Sequence, residues 1–218
     1  MNSRNKRVGI MGGTFDPVHI GHLILAESAR EAADLDEVRF IPSGHSYFKD
    51  QRSDRVSAPE DRLAMTRLAI AGNPCFSVSS MEIDRGGDTY TYETMEQLKA
   101  EEPETNFYFI AGADSIAQMR TWYRPERLFA VCTILAAVRS DETGDAALLH
   151  EIDGLKKDFS AKVELLPMQN IQISSSEIRS CVRENRSIRY RVPDAVAGYI
   201  REHALYPSEE DWTGGEQG

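Results

Sequence analysis

Gly12-Gly13-Thr14-Phe15-Asp16-Pro17-Val18-His19-Ile20-Gly21-His22-Leu23 follows a short apolar run, 7–11, and opens a stretch of helical periodicity, 21–33. The order strand, glycine turn, helix is what decides the fold. Two glycines let the backbone turn tightly and approach a ligand with no Cβ in the way. The helix start behind them offers unpaired N–H groups and the positive end of a dipole, a seat for phosphate. His19 and His22 are three apart, so their rings can share one helix face. There they add donors that can follow charge building on a phosphoryl oxygen. A zinc reading fails: no cysteine is near, HExxH is absent, and no third ligand suggests itself.

Outward from this turn, short apolar runs alternate with longer helical patterns. Strands are predicted at 7–11, 37–42, 76–83, 106–111 and 132–138, with a weaker one at 162–166. Helices are predicted at 21–33, 59–71, 92–101, 115–121, 145–158, 175–184 and 194–203. That alternation is the signature of a parallel sheet covered on both faces, whose ligands sit beyond the carboxyl ends of the strands. The expected architecture is a doubly wound α/β domain over 1–207 with a small C-terminal helical part, then a disordered tail, 208–218. Ser57-Ala58-Pro59-Glu60 and Ser174-Ser175-Ser176-Glu177 both have capping-box spacing. The polar segment 43–57 reads as a long functional loop.

Composition narrows the function classes. Lys and Arg total 25 against 35 Asp and Glu, a formal charge of −10, which argues against a nucleic-acid groove. The 3 cysteines, Cys75, Cys132 and Cys181, are far apart and form no CxxC pair, so a reducing cytoplasm is the expected home. The apolar run behind the basic N-terminus is too short for a signal peptide core or a membrane span. A homo-oligomer is compatible with the sequence.

A second motif stands near the other end: Ile173-Ser174-Ser175-Ser176-Glu177-Ile178-Arg179. It is a hydroxyl-rich helix start with an arginine one turn in, chemistry suited to β- and γ-phosphates.

The first string resembles the nucleotidyltransferase superfamily that shares an HxGH motif with class I aminoacyl-tRNA synthetases. The second resembles the ISSTxIR element that accompanies it in adenylyltransferases, with Ser176 in place of the threonine. The resemblance implies that His19 and His22 contact the triphosphate and stabilise the transition state, and that Thr14 holds the α-phosphate region. It further implies ATP contacts from Gly12, Gly13, Phe15, Ser174, Ser175, Ser176 and Arg179, with Phe15 also shaping the substrate pocket. From about Arg7 to Tyr206 the chain is similar to the bacterial nicotinate-nucleotide adenylyltransferase family, which has a Rossmann-like fold. That family joins ATP and nicotinate mononucleotide into nicotinate adenine dinucleotide and pyrophosphate during NAD synthesis. Magnesium would bridge phosphate oxygens and keep several waters, with no dedicated metal residues in the protein.

Residues that choose the acceptor follow. Trp122, expected in a short helix after the fourth strand, offers a flat indole for a pyridine ring. Thr89, Tyr90 and Thr91 open a helix where amides and hydroxyls can receive the nicotinate carboxylate. Gly112 and Asp114 end a strand, where the carboxylate can accept from ribose hydroxyls. Family members carry Pro-Pro-His-Lys after the second strand; here Gly44-His45-Ser46-Tyr47-Phe48-Lys49 stands instead. Lys49 matches the lysine and is expected to grip phosphate, while Phe48 takes the histidine's position and His45 could fold back to substitute. Alternatives are an adenylyltransferase for another phosphate monoester such as phosphopantetheine, a tRNA-charging fragment, or a nucleotide-binding module without turnover. No KMSKS-like stretch supports the second.

Overall fold

The computed structural model describes residues 4–44, 56–139, 146–168 and 171–207. Six parallel strands form one sheet in the order β3-β2-β1-β4-β5-β6. In chain order these are β1 (Arg7–Gly13), β2 (Glu37–Pro42), β3 (Phe76–Val78), β4 (Asn106–Ala111), β5 (Thr133–Arg139) and β6 (Val163–Met168). The connecting helices are α1 (Ile20–Ala32), α2 (Pro59–Ile70), α3 (Met81–Arg85), α4 (Thr91–Glu101), α5 (Ala113–Met119), α6 (Pro125–Val131), α7 (Ala146–Phe159), α8 (Ser175–Arg183) and α9 (Asp194–Glu202).

Strand periodicity explains the two layers. Val8 and Ile10 of β1, with Phe107, Phe109 and Ala111 of β4, pack on one face against α4, α5, α6 and α7. Tyr108 and Ile110 of β4, with Val38 and Phe40 of β2, pack on the other against α1, α2, α8 and α9. Both faces are covered, as an all-parallel sheet requires. Gly9 lies where a strand and a helix-to-strand turn meet closely: a Cβ there would come 2.7 Å from Leu35 Cδ1. This is the expected Rossmann-like doubly wound fold, and strand order reverses between β1 and β4.

Three local expectations need correction. The strand at 76–83 stops at Val78, and Met81–Arg85 is helical. Ser79 N–H makes the last bond to Phe40 O, and Ser79 Oγ then accepts from Met81 N–H at 3.3 Å, a local turn that competes with the ladder. Ser57 is not a cap. Ala58 takes that position, while Ser57 donates its N–H to Asp16 and its carbonyl accepts from Arg62. Trp122 lies in the turn between α5 and α6, not in a helix. The tail at 208–218 falls outside the described residues.

Candidate active site

β1 runs into Gly12 and Gly13, and the chain then loops to His19, the N-cap of α1. Phe15 holds a positive φ of 51° and is 2% exposed. Its ring meets His22 edge-on, centroids 5.1 Å apart, and a Cβ on Gly13 would come within 3.1 Å of it. Phe15 thus supports His22 from inside the core.

The His19 and His22 rings stack at 3.7 Å with 22° between their planes. A Cβ at Gly21 would press to 3.1 Å from the His19 ring, so the intervening glycine makes room for the stack. His22 Nδ1 accepts from His19 N–H at 3.2 Å, which assigns the proton of the neutral ring to Nε2. His19 is 6% exposed, and its Nδ1 has no hydrogen-bond partner among the described residues. Burial lowers its pKa to about 4, so at neutral pH it works as a neutral hydrogen-bonding group and not as a cation.

The second motif lands on the first. Ser174 caps α8 by accepting from Glu177 N–H at 3.2 Å, and Ser176 Oγ lies 3.2 Å from Ser174 Oγ. Ser175 Oγ donates to Pro17 O at 2.9 Å, and Arg179 Nη1 donates to Asp16 O at 2.8 Å. Asp16 is itself buried, its carboxylate accepting from Tyr206 O–H at 2.7 Å and Ser57 N–H at 3.2 Å. Two stretches some 158 to 163 positions apart are thereby bonded around the Asp16-Pro17 carbonyls.

Two adjoining cavities lie at the reversal point, and Gly12, Ile110 and Ser115 line both. The larger, about 480 Å³, is lined by His19, His22, Gly112, Asp114, Ser174 and Ser175. The smaller, about 250 Å³, is lined by Gly13, Thr14, Thr89, Tyr90, Thr91 and Trp122. Trp122 stands edge-on to Phe109 at 5.9 Å, leaving a half-buried indole at the cavity wall.

The two cavities divide the residues singled out in the sequence between them. Gly13 and Thr14, expected with the triphosphate, line the smaller cavity. Gly112 and Asp114, expected with the acceptor, line the histidine cavity. Phe15, Ser176 and Arg179 line neither: Phe15 is buried, Ser176 is exposed, and Arg179 is half-buried. Lys49 and His45 lie outside the described residues. No group of three or more His, Cys, Asp or Glu capable of holding a metal occurs among the described residues. Asp114 is the carboxylate on the histidine cavity, a donor set that suits Mg2+ arriving on a triphosphate with most of its waters.

Sequence reasoning missed Arg62. It is 2% exposed and donates to four carbonyls, those of Ser57, Thr14, Ser43 and Gly44 at 2.7–3.1 Å. It fastens α2 to the loops after β1 and β2. The only signal available was an arginine on a helix face otherwise counted as polar, and that is indistinguishable from a solvated charge. Asp16 was in view within the quoted string, but its partner Tyr206 lies 190 positions away.

Paired imidazoles at a helix start, a glycine turn after β1 and a serine-rich helix start closing the same cavity define a nucleotidyltransferase. The family described as Cytidylyltransferase-like matches residues 10–181. A protein of Lachnoclostridium phytofermentans named "Probable nicotinate-nucleotide adenylyltransferase" is 43% identical over 92% of this chain and 99% of its own. One of the same name from Mycolicibacterium vanbaalenii is 40% identical over 94% of each chain. The nicotinic acid mononucleotide adenylyltransferase of Plasmodium falciparum, solved with NaAD, superposes with a TM-score of 0.74 at 21% identity, covering 92% of this chain and 97% of that one, a likeness of fold. The chain belongs to the nicotinate-nucleotide adenylyltransferase family.

Proposed function

We propose that this protein joins ATP and nicotinate mononucleotide to give nicotinate adenine dinucleotide and pyrophosphate, a step of NAD synthesis. The observation that carries the proposal is the pair of adjoining cavities, one walled by His19, His22 and Ser175, the other by Trp122 and the start of α4. The triphosphate occupies the larger, its charge facing the α1 N-terminus and the two imidazoles. The pyridine ring occupies the smaller, beside Trp122, with its carboxylate at the Thr89–Thr91 segment. The shared wall at Gly12 brings the acceptor phosphate to the α-phosphorus of ATP for in-line attack, and pyrophosphate leaves. No covalent intermediate is needed.

Catalysis is then positioning plus stabilisation of charge on the α-phosphoryl oxygens. His22 donates from Nε2, and His19, neutral, serves as a second hydrogen-bonding group. Arg179 holds the loop that places both, and Lys49 supplies a cation to the phosphates. Mg2+ held on the triphosphate beside Asp114 would neutralise part of its charge. No helix among the described residues is long and apolar enough to cross a membrane, and we place the enzyme in the cytoplasm. Pyrophosphate release from ATP and Mg2+ with each candidate acceptor tests the reading. Release that requires nicotinate mononucleotide supports it. Release with phosphopantetheine alone, or with no acceptor at all, contradicts it.

A further inference from the structure

Glu82, in α3, lines the smaller cavity yet is only 8% exposed. Its Oε1 accepts from Thr94 Oγ1 at 2.7 Å, and Thr89 hydrogen-bonds the same carboxyl. The nearby positive groups are Arg62 from α2 and Arg85 from α3. Arg62 is committed to four backbone carbonyls, and Arg85 to Thr94, Gln97 and, at 3.9 Å, the Glu93 carboxylate of α4. From α4 and the loop before it the facing partners are the neutral hydroxyls of Thr94 and Thr89. Among the described residues neither arginine forms an ion pair with Glu82, and burial raises the proton affinity of its carboxyl.

The pyridine site proposed above shares this cavity with Glu82, and the present inference rests on that placement. Two ionised carboxyls in one half-enclosed space of about 250 Å³ oppose each other, and such pairs share a proton. A protonated Glu82 donates a hydrogen bond, whereas an ionised one only accepts. We propose that Glu82 is a specificity-determining residue: an acidic ring substituent enters this cavity with a proton on the Glu82 carboxyl, taken from solvent, whereas an amide substituent enters with the carboxylate bare. The preference for acid over amide thus depends on pH, falling as the solution becomes more alkaline.

Calorimetric titration of nicotinate and nicotinamide mononucleotides, in buffers of differing ionisation enthalpy, counts the protons taken up. The mononucleotide phosphate is common to both ligands and cancels in the difference. Wild-type protein is expected to take up more protons with the acid than with the amide, and Glu82→Gln is expected to remove the excess. In steady state, KM for nicotinate mononucleotide should rise by up to about tenfold per pH unit above the Glu82 titration. KM for ATP should stay flat, and Glu82→Gln should level the first profile, which a loss of packing alone would not do. Equal proton counts for acid and amide in the wild type, or a wild-type-like excess in Glu82→Gln, would each overturn the assignment. Product formation from nicotinate mononucleotide in the same preparation separates the two readings: product with no excess proton overturns the role of Glu82 alone, and no product overturns both.

Discussion

His19 and His22 are chemically alike, stacked on each other, and set to different tasks by their surroundings. His22 spends Nδ1 on the His19 amide, so in the neutral ring the proton sits on Nε2. His22→Ala should lower kcat about 100- to 1000-fold, the range for loss of one preorganised donor, while KM for ATP changes little. An unchanged kcat would remove His22 from the reaction. His19 carries a stability consequence instead. Its pKa falls from 6.5 in the unfolded chain to about 4 in the fold. Above pH 6.5 the ring is neutral in both states and its contribution is intact. Between there and pH 4 the unfolded chain binds a proton that the native chain does not, so stability declines as pH falls, by roughly 3 kcal/mol in all. Urea midpoints measured from pH 7.5 to 4.5 check this, and His19→Asn should flatten that part of the profile. Gly21→Ala, which would push a Cβ to 3.1 Å from the His19 ring, should lower kcat with a smaller change in midpoint. The histidines and the glycine between them were legible in the sequence because their spacing is local. The neutrality of His19 was not, because it follows from burial supplied by distant chain.

At the scale of elements, the loops of the site are held by polar groups inside the protein. Arg62 of α2 satisfies carbonyls on both sides of the β1 and β2 carboxyl ends, and Tyr206, beyond α9, satisfies Asp16. Tyr206→Phe leaves a buried carboxylate short of one donor and should cost about 1–3 kcal/mol, read as a shift in Tm. Arg62→Met takes the guanidinium from four half-buried carbonyls and should cost roughly 3 kcal/mol, measured by urea unfolding. Wild-type stability in either variant would contradict this account of the loops. Here the sequence was readable in part. Long periodic segments such as 21–33 and 59–71 gave helices close to those observed, and the Ser174 cap holds as its spacing predicts. The segment 76–83 misled because apolar residues at 76, 78, 81 and 83 resemble alternation, while Ser79 and Ser80 between them break the ladder and start a turn.

At the scale of the whole molecule, the strand reversal between β1 and β4 creates the crevice, and α8 closes it from the far end of the chain. Both quoted motifs pointed to one phosphate site, and their meeting at the Asp16-Pro17 carbonyls accounts for how. What no motif conveyed is the partition into two cavities, which places Asp114 with the histidines and Thr14 with Trp122. That partition arises from which side of β1 and β4 each loop falls, a property of packing and not of spacing. The most direct measurement of this convergence is a double-mutant cycle on kcat with His22→Ala and Arg179→Ala. If Arg179 acts by bracing the loop that positions the histidine pair, the double variant should be scarcely slower than His22→Ala alone, a coupling of 1 kcal/mol or more by the usual scale of such cycles, about 0.5–3 kcal/mol. Losses that simply multiply would show the two stretches working independently, contrary to a single shared site.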